Sequence, residues 1–128
     1  MTGSTIAFIG AGNMGRSMAG GLLKSGWDRS RLVLADSDPQ QRRAVEHLLG
    51  LQVYADNSAA VADADIVVLA VKPQVLRAVA QGLAPVVQQK SPLIVSVAAG
   101  VRIVDLERWL GGNLAIVRVM PNTPALVG

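Results

Sequence analysis

The sequence has no cysteine and very little histidine. With no cysteine among its 128 residues, the chain can form neither a disulfide nor a thiolate metal site. His47 is the only histidine, and Asp63 and Asp65 have no clustered partners that would complete a ligand set. These absences predict no metal site and are typical of a cytoplasmic protein.

The sequence also lacks long apolar runs and is poor in aromatic residues. Hydrophobic residues make up 51% of the chain, but aromatic residues only 3%. No apolar run reaches the roughly 18 residues that cross a bilayer, so we expect no membrane partner. A core of alanine, valine and leucine is typical of helices packed closely on a parallel sheet. The length suits one domain, which we expect to span residues 1–128.

The basic residues are scattered along the chain. The net charge is +3 at pH 7, yet the densest basic cluster is only Arg42-Arg43, and no basic surface is interleaved with aromatic residues. We therefore expect no nucleic-acid partner. Two interpretations of the positive excess stay open: it favours anionic small molecules, or it is ordinary solvated charge.

Three closely spaced glycines follow the first apolar run. The run 6–9 is typical of a central parallel strand, and Gly10, Gly12 and Gly15 come directly after it. Dinucleotide sites share this spacing with plain tight turns between a strand and a helix. The residues on either side of the glycines therefore have to distinguish a dinucleotide site from a plain tight turn.

The residues after the glycines favour the dinucleotide site. Met14, Met18 and Leu22 recur every fourth residue, with Ala19 and Leu23 beside them, which predicts a helix with one buried face. In such a unit the first glycine makes the turn, the second lets the backbone approach a pyrophosphate, and the third lets the helix pack on the strand. Free N–H groups at the helix start, around Asn13 and Met14, would hold the phosphate charge.

An acidic residue in the expected place supports this interpretation. Asp36 follows the predicted strand 31–35, about 20 residues after the last glycine, where a carboxylate typically accepts the 2′-hydroxyl of an adenosine ribose. Asp36 argues for NADH, because a carboxylate repels a 2′-phosphate. Ser37, Arg42 and Arg43 could still accommodate that phosphate, although exposed helix arginines are common. We therefore expect the cofactor to be NADPH or NADH.

The rest of the chain alternates between predicted strands and helices. Predicted strands cover 52–54, 66–71, 93–97 and 115–119; predicted helices cover 39–49, 57–62 with Asn57-Ser58 as its cap, 75–86 with an end left open by Gly82 and Pro85, and 103–110. This alternation predicts an α/β, Rossmann-type doubly wound parallel sheet in a single domain.

Five turns of this predicted sheet share one edge. Ligands of doubly wound sheets bind outside the carboxyl ends of the strands, and the turns at those ends are 10–15, 36–37, 70–73, 98–100 and 120–123. The first two would serve the adenosine half of a dinucleotide, and the later ones would lie toward the nicotinamide. Small residues are also common in any strand-to-helix turn, so spacing alone leaves the later turns open.

Four segments of the chain resemble the N-terminal, cofactor-binding domain of pyrroline-5-carboxylate reductase. They are "FIGAGNMG", "LAVKP", "VSVAAGV" and "RVMPNTPALVG", they occur in the family's order, and the resemblance covers the whole chain. The last segment is highly specific, whereas many dehydrogenases share the glycine turn. The resemblance implies an NAD(P)H-dependent oxidoreductase that reduces 1-pyrroline-5-carboxylate to L-proline, the last step of proline biosynthesis.

The resemblance also implies which residues form the site. It implies that Ile9, Gly10, Ala11, Gly12, Asn13 and Met14 hold the pyrophosphate, that Ser37 lies near the adenosine ribose, that Asn57, Ala70, Val71, Lys72 and Pro73 line the middle of the cofactor, and that Ala98, Ala99 and Gly100 meet the nicotinamide. Met120, Asn122 and Thr123 would border the reacting ring of the substrate. Hydride transfer needs no protein nucleophile, so the catalytic residue stays unidentified.

The length of the chain departs from the family. The family has a second, helical domain that forms the oligomer and supplies most of the substrate pocket, and this chain ends at Gly128, where that domain should soon begin. We therefore expect a fragment that carries the cofactor half of a homo-oligomeric enzyme and is inactive alone. Two alternatives stay open: a related dehydrogenase of the prephenate or 2-hydroxyacid type, which would lack "MPNTPALVG", and a non-catalytic NAD(P)-sensing module.

Overall fold

The computed structural model describes residues 3–120, in which strands and helices alternate along the chain. The elements are β1 (Ile6–Ile9), α1 (Asn13–Lys24), β2 (Leu32–Ala35), α2 (Pro39–Leu49), β3 (Val53–Tyr54), α3 (Asn57–Val61), β4 (Ile66–Leu69), α4 (Pro73–Lys90), β5 (Leu93–Ser96), α5 (Ile103–Trp109) and β6 (Ile116–Arg118). Within the described range, no helix is both long enough and apolar enough to cross a membrane.

The six strands form one parallel sheet in the order β3-β2-β1-β4-β5-β6. From β1 the chain first builds outward to β3 and then returns to build the other half from β4. Ile6 is therefore opposite Leu32 on one side and Ile66 on the other. The predicted doubly wound sheet is confirmed. Its switch point lies between β1 and β4, where ligands of such sheets bind at the carboxyl ends.

The central strand β1 is buried on both faces, as its continuous apolar run predicts. Its side chains alternate between two cores. Ala7 and Ile9 belong to the core beneath α3, α4 and α5. Ile6 and Phe8 belong to the core beneath α1 and α2. The carboxyl end of β1 is thereby held rigidly at the centre of the sheet.

The buried face of α1 is the predicted one, but its small residues are buried more deeply than its large ones. Gly15 and Ala19 are its buried residues, whereas Met18 and Leu22 are only partly buried beside the second core. The side of α1 that faces the sheet is formed by its smallest side chains, because the helix lies very close to the glycine turn that precedes it. The recurrence of large residues at every fourth position predicted the helix correctly, and Ala19, which the prediction placed on this face, is fully buried.

Two other helices depart from the predicted pattern. The cap of α3 is Asp56, whose carboxylate accepts the Ser58 N–H at 3.1 Å, so the predicted cap at Asn57-Ser58 is wrong and Asn57 is already helical. Helix α4 continues through Gly82 and Pro85 to Lys90. An internal proline costs a helix about 3 kcal/mol, but burying one Leu or Val contributes about 1.5–3 kcal/mol. Three such residues, Leu76, Leu83 and Val87, are buried on one face together with Ala80, and they outweigh it.

The predicted strands are shortened at their ends. β4 stops at Leu69, although the apolar run continues to Val71. Beyond Leu69, the main chain of Ala70 and Val71 lies against the glycine turn. β5 similarly stops at Ser96 and β6 at Arg118. The residues after each strand are thereby available at the carboxyl edge of the sheet.

Candidate dinucleotide-binding site

The turn after β1 requires glycine at Gly10. Its backbone has a φ of +102°, and a Cβ there would lie 2.7 Å from the carbonyl oxygen of Ala70. The Gly10 N–H donates to the Ala35 carbonyl oxygen at 2.8 Å. The turn after β1 is thus bonded to the end of β2 and lies against the turn after β4, which brings three of the predicted site segments together.

Gly15 is required by the packing of α1. A Cβ at this position would lie 2.0 Å from the carbonyl oxygen of Gly10, a separation that no folded structure tolerates. The helix therefore approaches the turn as closely as a glycine allows. Gly10 and Gly15 are both explained by the fold, with no ligand needed.

Gly12 is different, because nothing in the described fold requires it to be glycine. Its φ of −73° and ψ of −165° are open to any residue. A Cβ at Gly12 would meet only Nε2 of Gln41, at 3.6 Å, which is ordinary contact. The space in front of this backbone is open, and a side chain would intrude into it. The geometry of the turn explains why Gly10 and Gly15 are glycines. A pyrophosphate lying close to the backbone would explain why Gly12 is a glycine.

The start of α1 offers unsatisfied N–H groups to that space. Gly12 is the N-cap, and no side chain caps this helix end. The first intrahelical bond is donated by the Arg16 N–H to the Gly12 carbonyl oxygen at 2.9 Å. The N–H groups before it, from Asn13 to Gly15, have no partner within the helix, and the helix dipole adds positive potential there. This arrangement suits a phosphate group.

Asp36 connects the end of β2 to the glycine turn. Its Oδ2 accepts the Ala11 N–H at 2.9 Å, and its Oδ1 accepts the Asp38 N–H at 2.9 Å. Each oxygen keeps a second lone pair, so a ribose hydroxyl could still donate to it. Ser37 lies exposed beside it. The sequence placed Asp36 at the correct edge but did not show that its carboxylate also fixes the turn.

Two arginines donate to main-chain oxygens near this carboxylate, namely Arg42, whose role the sequence left open, and Arg16. Nη1 of Arg42 donates to the Asp36 carbonyl oxygen at 2.9 Å. Arg16 donates from Nε to the Ala11 carbonyl oxygen at 3.2 Å and from Nη2 to Oε1 of Gln41 at 2.6 Å. Gln41 is a site neighbour that sequence reasoning missed. Its only sequence signal is its position in the first turn of a helix that follows the acid.

The turn after β4 lies beside the glycine turn at the switch point between β1 and β4, and the two turns border one crevice at the carboxyl edge of the sheet. The Ala70 N–H donates to the Ile9 carbonyl oxygen at 2.8 Å, which continues the sheet bonding beyond both strands. Lys72 is the exposed N-cap of α4, and Pro73 is its first residue. Proline suits that position because its missing N–H would have had no helical partner.

Asn57 lies in a separate groove. The groove has a volume of about 420 Å³ and lies between the start of α3 and the middle of α4; its lining is Ala55, Asp56, Asn57, Ser58, Ala78, Val79, Gly82 and Leu83. This lining includes no residue of the glycine turn. The structure therefore does not join Asn57 to that turn in one cavity, and its cofactor role remains a prediction.

The turn after β5 presents mostly main-chain atoms at the carboxyl edge of the sheet. Ser96, only 1% exposed, accepts the Ala98 N–H on Oγ at 3.4 Å, which is longer than an ordinary hydrogen bond. Ala99 and Gly100 are exposed, and Gly100 has a φ of +77°. Met120, beyond β6, is 69% exposed. Asn122 and Thr123 lie outside the described residues.

The acidic residues and the histidine of the described range are not grouped into a ligand set. Among residues 3–120, no three histidine, aspartate or glutamate side chains are grouped so that they could hold a metal ion. The charged groups around the start of α1 are one carboxylate and two guanidinium groups, and Lys72 lies in the turn after β4. Such a set suits an anionic organic ligand.

A parallel sheet with its switch point at a glycine turn, an open helix start and an acid after β2 defines the class of dinucleotide-binding α/β domains. Comparison with known families is more specific. The family described as "NADP oxidoreductase coenzyme F420-dependent" matches residues 5–100, and the chain belongs to this family.

Known relatives confirm the predicted resemblance. The chain is 47% identical to the pyrroline-5-carboxylate reductase of Pseudomonas aeruginosa over 127 residues, which are 99% of this chain and 46% of that reductase. The pyrroline-5-carboxylate reductase structure from Coxiella burnetii superposes with a TM-score of 0.91 at 37% identity, covering 97% of this chain and 46% of that one. The Plasmodium falciparum pyrroline carboxylate reductase with NADP bound superposes with a TM-score of 0.82 at 30% identity, covering 99% and 45%. The chain thus spans about half the length of these relatives.

Proposed function

We propose that this chain is the cofactor-binding part of an NAD(P)H-dependent pyrroline-5-carboxylate reductase. The reaction reduces 1-pyrroline-5-carboxylate to L-proline. The observation that carries the cofactor assignment is Gly12, whose glycine identity the described fold leaves unexplained. The similarity to reductases of this name, over nearly the whole of this chain, supports the choice of substrate.

The cofactor is NADPH or NADH, and it supplies a hydride to the carbon of the C=N bond while the ring nitrogen gains a proton. The glycine turn from Ile9 to Gly15 would hold the pyrophosphate through backbone N–H groups. Asp36 and Ser37 would hold the adenosine ribose. The remaining contacts fall on backbone and small residues, which leave room for a flat ring: Asn57, Ala70, Val71, Lys72, Pro73, Ala98, Ala99 and Gly100.

On this proposal, residues 1–128 form the NAD(P)-binding domain of a cytoplasmic enzyme. Met120, Asn122 and Thr123 border the substrate, and the full-length enzyme is a homo-oligomer that acts on a small molecule. The exposure of Met120 agrees with a residue that another surface or a ligand covers. The relatives' additional length leaves room for such a surface.

A chimera tests the proposed reaction. This chain replaces the matching residues of the Pseudomonas aeruginosa reductase, and the chimera is assayed for NADPH oxidation that depends on 1-pyrroline-5-carboxylate and for L-proline formation. We expect proline to form with the chimera and not with the 128-residue chain alone, because positioning of the imine accounts for about 7–11 kcal/mol of such barriers. The control is the same chimera with Gly12→Val, which should fold but stay inactive.

A chimera that folds and binds cofactor but forms no proline would contradict the proposed substrate. Full activity of the 128-residue chain alone would contradict the assignment of the substrate site to another part of the enzyme.

A further inference from the structure

The side-chain amide of Gln41 is held in one orientation. Its Oε1 accepts a hydrogen bond from Nη2 of Arg16 at 2.6 Å. A guanidinium group carries only donors, so the atom that faces it must be the amide oxygen and not the amide nitrogen. Nε2 of Gln41 instead faces the glycine turn, where it lies 3.6 Å from a Cβ built on Gly12.

The amide nitrogen of Gln41 has hydrogen-bond donors to offer on that side. It carries two N–H groups, and neither is donated to an acceptor within residues 3–120. No buried side-chain nitrogen or oxygen of those residues lacks a partner, so Nε2 is open to solvent. A ligand oxygen that lies slightly closer to Nε2 than the Cβ built on Gly12 would be within hydrogen-bond distance, about 2.7–3.2 Å.

Arg16 fixes this arrangement from the first turn of α1. Its Nε donates to the Ala11 carbonyl oxygen at 3.2 Å, while its Nη2 holds Gln41. The N–H of Ala11 in turn donates to Oδ2 of Asp36 at 2.9 Å. The Arg16 side chain therefore connects α2 to a residue of the glycine turn whose N–H and carbonyl are both bonded. The position of the Gln41 amide relative to the turn is thus set before any ligand binds.

We infer that Gln41 is a further ligand-binding residue of the dinucleotide site, which donates from Nε2 to the phosphate on the adenosine side of the pyrophosphate, and that Arg16 is its positioning residue. This inference rests on the proposed function. The pyrophosphate of a dinucleotide approaches the second glycine of the turn, and the adenosine ribose lies at the end of β2. Gln41 lies between these two places. The backbone N–H groups of α1 would bind the phosphate from one side, and Gln41 binds it from the side of α2.

A merely structural bridge between Arg16 and Gln41 predicts a different response to substitution. Gln41→Glu keeps an oxygen that accepts from Arg16, and its charge strengthens that bond. The same substitution replaces the donors of Nε2 with a carboxylate oxygen, which repels a phosphate. A bridge that only fastens α2 to the glycine turn would therefore leave cofactor binding intact in Gln41→Glu.

The experiment measures the affinities of the 128-residue chain for NADH and NADPH by calorimetry, in the wild type, Gln41→Glu and Gln40→Glu. We expect both affinities to fall about tenfold in Gln41→Glu, the size of one hydrogen bond to a charged group. The NADPH-to-NADH affinity ratio should stay unchanged, because the two cofactors share this phosphate. The thermal midpoint of Gln41→Glu should be no lower than that of the wild type.

Gln40→Glu is the matched control. Gln40 is the preceding residue of α2 and is exposed, so the substitution adds the same charge to the same helix turn without touching the bridge. Salt screens an exposed charge, and we expect either affinity to change by less than about twofold. A difference between the two variants therefore reports on position and not on net charge.

A double-mutant cycle tests the positioning role of Arg16. Arg16→Lys keeps the positive charge but loses the planar fork that bonds the Ala11 carbonyl and Gln41 together. We expect Arg16→Lys to lower the NADH affinity about fivefold in the wild-type background and to have little further effect in Gln41→Ala, where no amide is left to position. Additive losses would contradict the positioning role.

Two results would overturn the inference and leave the proposed function in place. Wild-type affinity for both cofactors in Gln41→Glu would make the bridge purely structural, and an equal loss in Gln40→Glu would make the effect one of general charge. Binding of neither cofactor by the wild type would instead refute the proposed function, and the inference with it.

A measurement on the unmodified chain does not depend on whether a variant folds. The resonances of the Gln41 side-chain amide in the NMR spectrum should shift when either NADH or NADPH is added, while those of the Gln40 side-chain amide stay in place. An unchanged Gln41 amide at saturating cofactor would contradict the inference.

Discussion

The two halves of the sheet's carboxyl edge are built differently. At β1 and β2, hydrogen bonds connect the glycine turn, Asp36 and two arginines into one polar cluster. At β5 and β6, the only buried polar side chain of the described core is Ser96, and its bond to the Ala98 N–H is long, at 3.4 Å. The first half consists of charged side chains that are fixed by hydrogen bonds. The described part of the second half consists mostly of small residues and main-chain atoms.

This difference indicates where the chain recognises its ligand. A site held in its binding geometry before the ligand arrives loses little free energy to ordering, and among residues 3–120 the hydrogen bonds of the β1–β2 half give it that property. Within residues 3–120, the β5–β6 half provides space and backbone for a flat group but few side chains to hold one. Affinity should therefore come mainly from the adenosine and pyrophosphate contacts.

The largest effect is expected at Gly12. Gly12→Val places a side chain where the pyrophosphate must approach, and we expect the affinity for NADH to fall about 100-fold, or about 2.8 kcal/mol. Gly21→Val is the control, because a Cβ at Gly21 would meet no atom within 4 Å. Calorimetric titration of both variants checks this, with thermal midpoints to show that each is folded. Equal NADH affinities in the two variants would refute the phosphate role of the turn.

A smaller and opposite effect on specificity is expected at Asp36. Asp36→Ala removes a repelling charge, so the NADPH-to-NADH affinity ratio should rise about tenfold. It also leaves two N–H groups without their acceptor, which should lower the unfolding free energy by about 1 kcal/mol. Asp38→Ala removes the same charge and the cap of α2, and its ratio should change less. If Asp36→Ala leaves the ratio unchanged, the carboxylate does not face the ribose.

In the β5–β6 half, Ser96→Ala should have little effect. The long bond to the Ala98 N–H contributes weakly, so we expect less than about 1 kcal/mol in urea-induced unfolding and less than about a twofold change in NADH affinity. A large loss of affinity with unchanged stability would show that the second half is more strongly organised than the contrast between the halves implies.

The smallest effect concerns pH and the start of α5. The hydrogen bond from Arg102 lowers the pKa of Asp105 below its ordinary value, and Arg108 adds to this. A lowered pKa in the folded state gives stability that is present above the unfolded value and is lost as the pH falls through the folded one. The pair is exposed, so the effect is slight. Between about pH 5 and about pH 2, the thermal midpoint should fall slightly less in Asp105→Asn than in the wild type; an identical fall would contradict the pKa shift.

Features set by local chemistry could be predicted from the sequence. The bounds of α2 follow from Pro39 at its first turn and an apolar face, and β1 follows from its continuous apolar run. The glycine turn and Asp36 could be assigned to one edge because parallel strands share their carboxyl ends.

Contacts between distant parts of the chain could not be predicted in this way. The bond from the Ala11 N–H to Asp36 joins residues 25 positions apart, and the Arg16–Gln41 bond does the same between α1 and α2. No periodicity encodes such pairs. The continuation of α4 through Pro85 could not be predicted for a related reason. The helix continues because the face opposite Pro85 packs against the core.

The contrast between the two halves is tested most directly by offering each half of the cofactor separately. The 128-residue chain is titrated with ADP-ribose, which carries the adenosine end, and with nicotinamide mononucleotide, which carries the other. We predict that ADP-ribose binds about 100-fold more tightly, a difference of about 2.8 kcal/mol. Equal affinities, or tighter binding of nicotinamide mononucleotide, would contradict the central claim that the β1–β2 half provides the recognition.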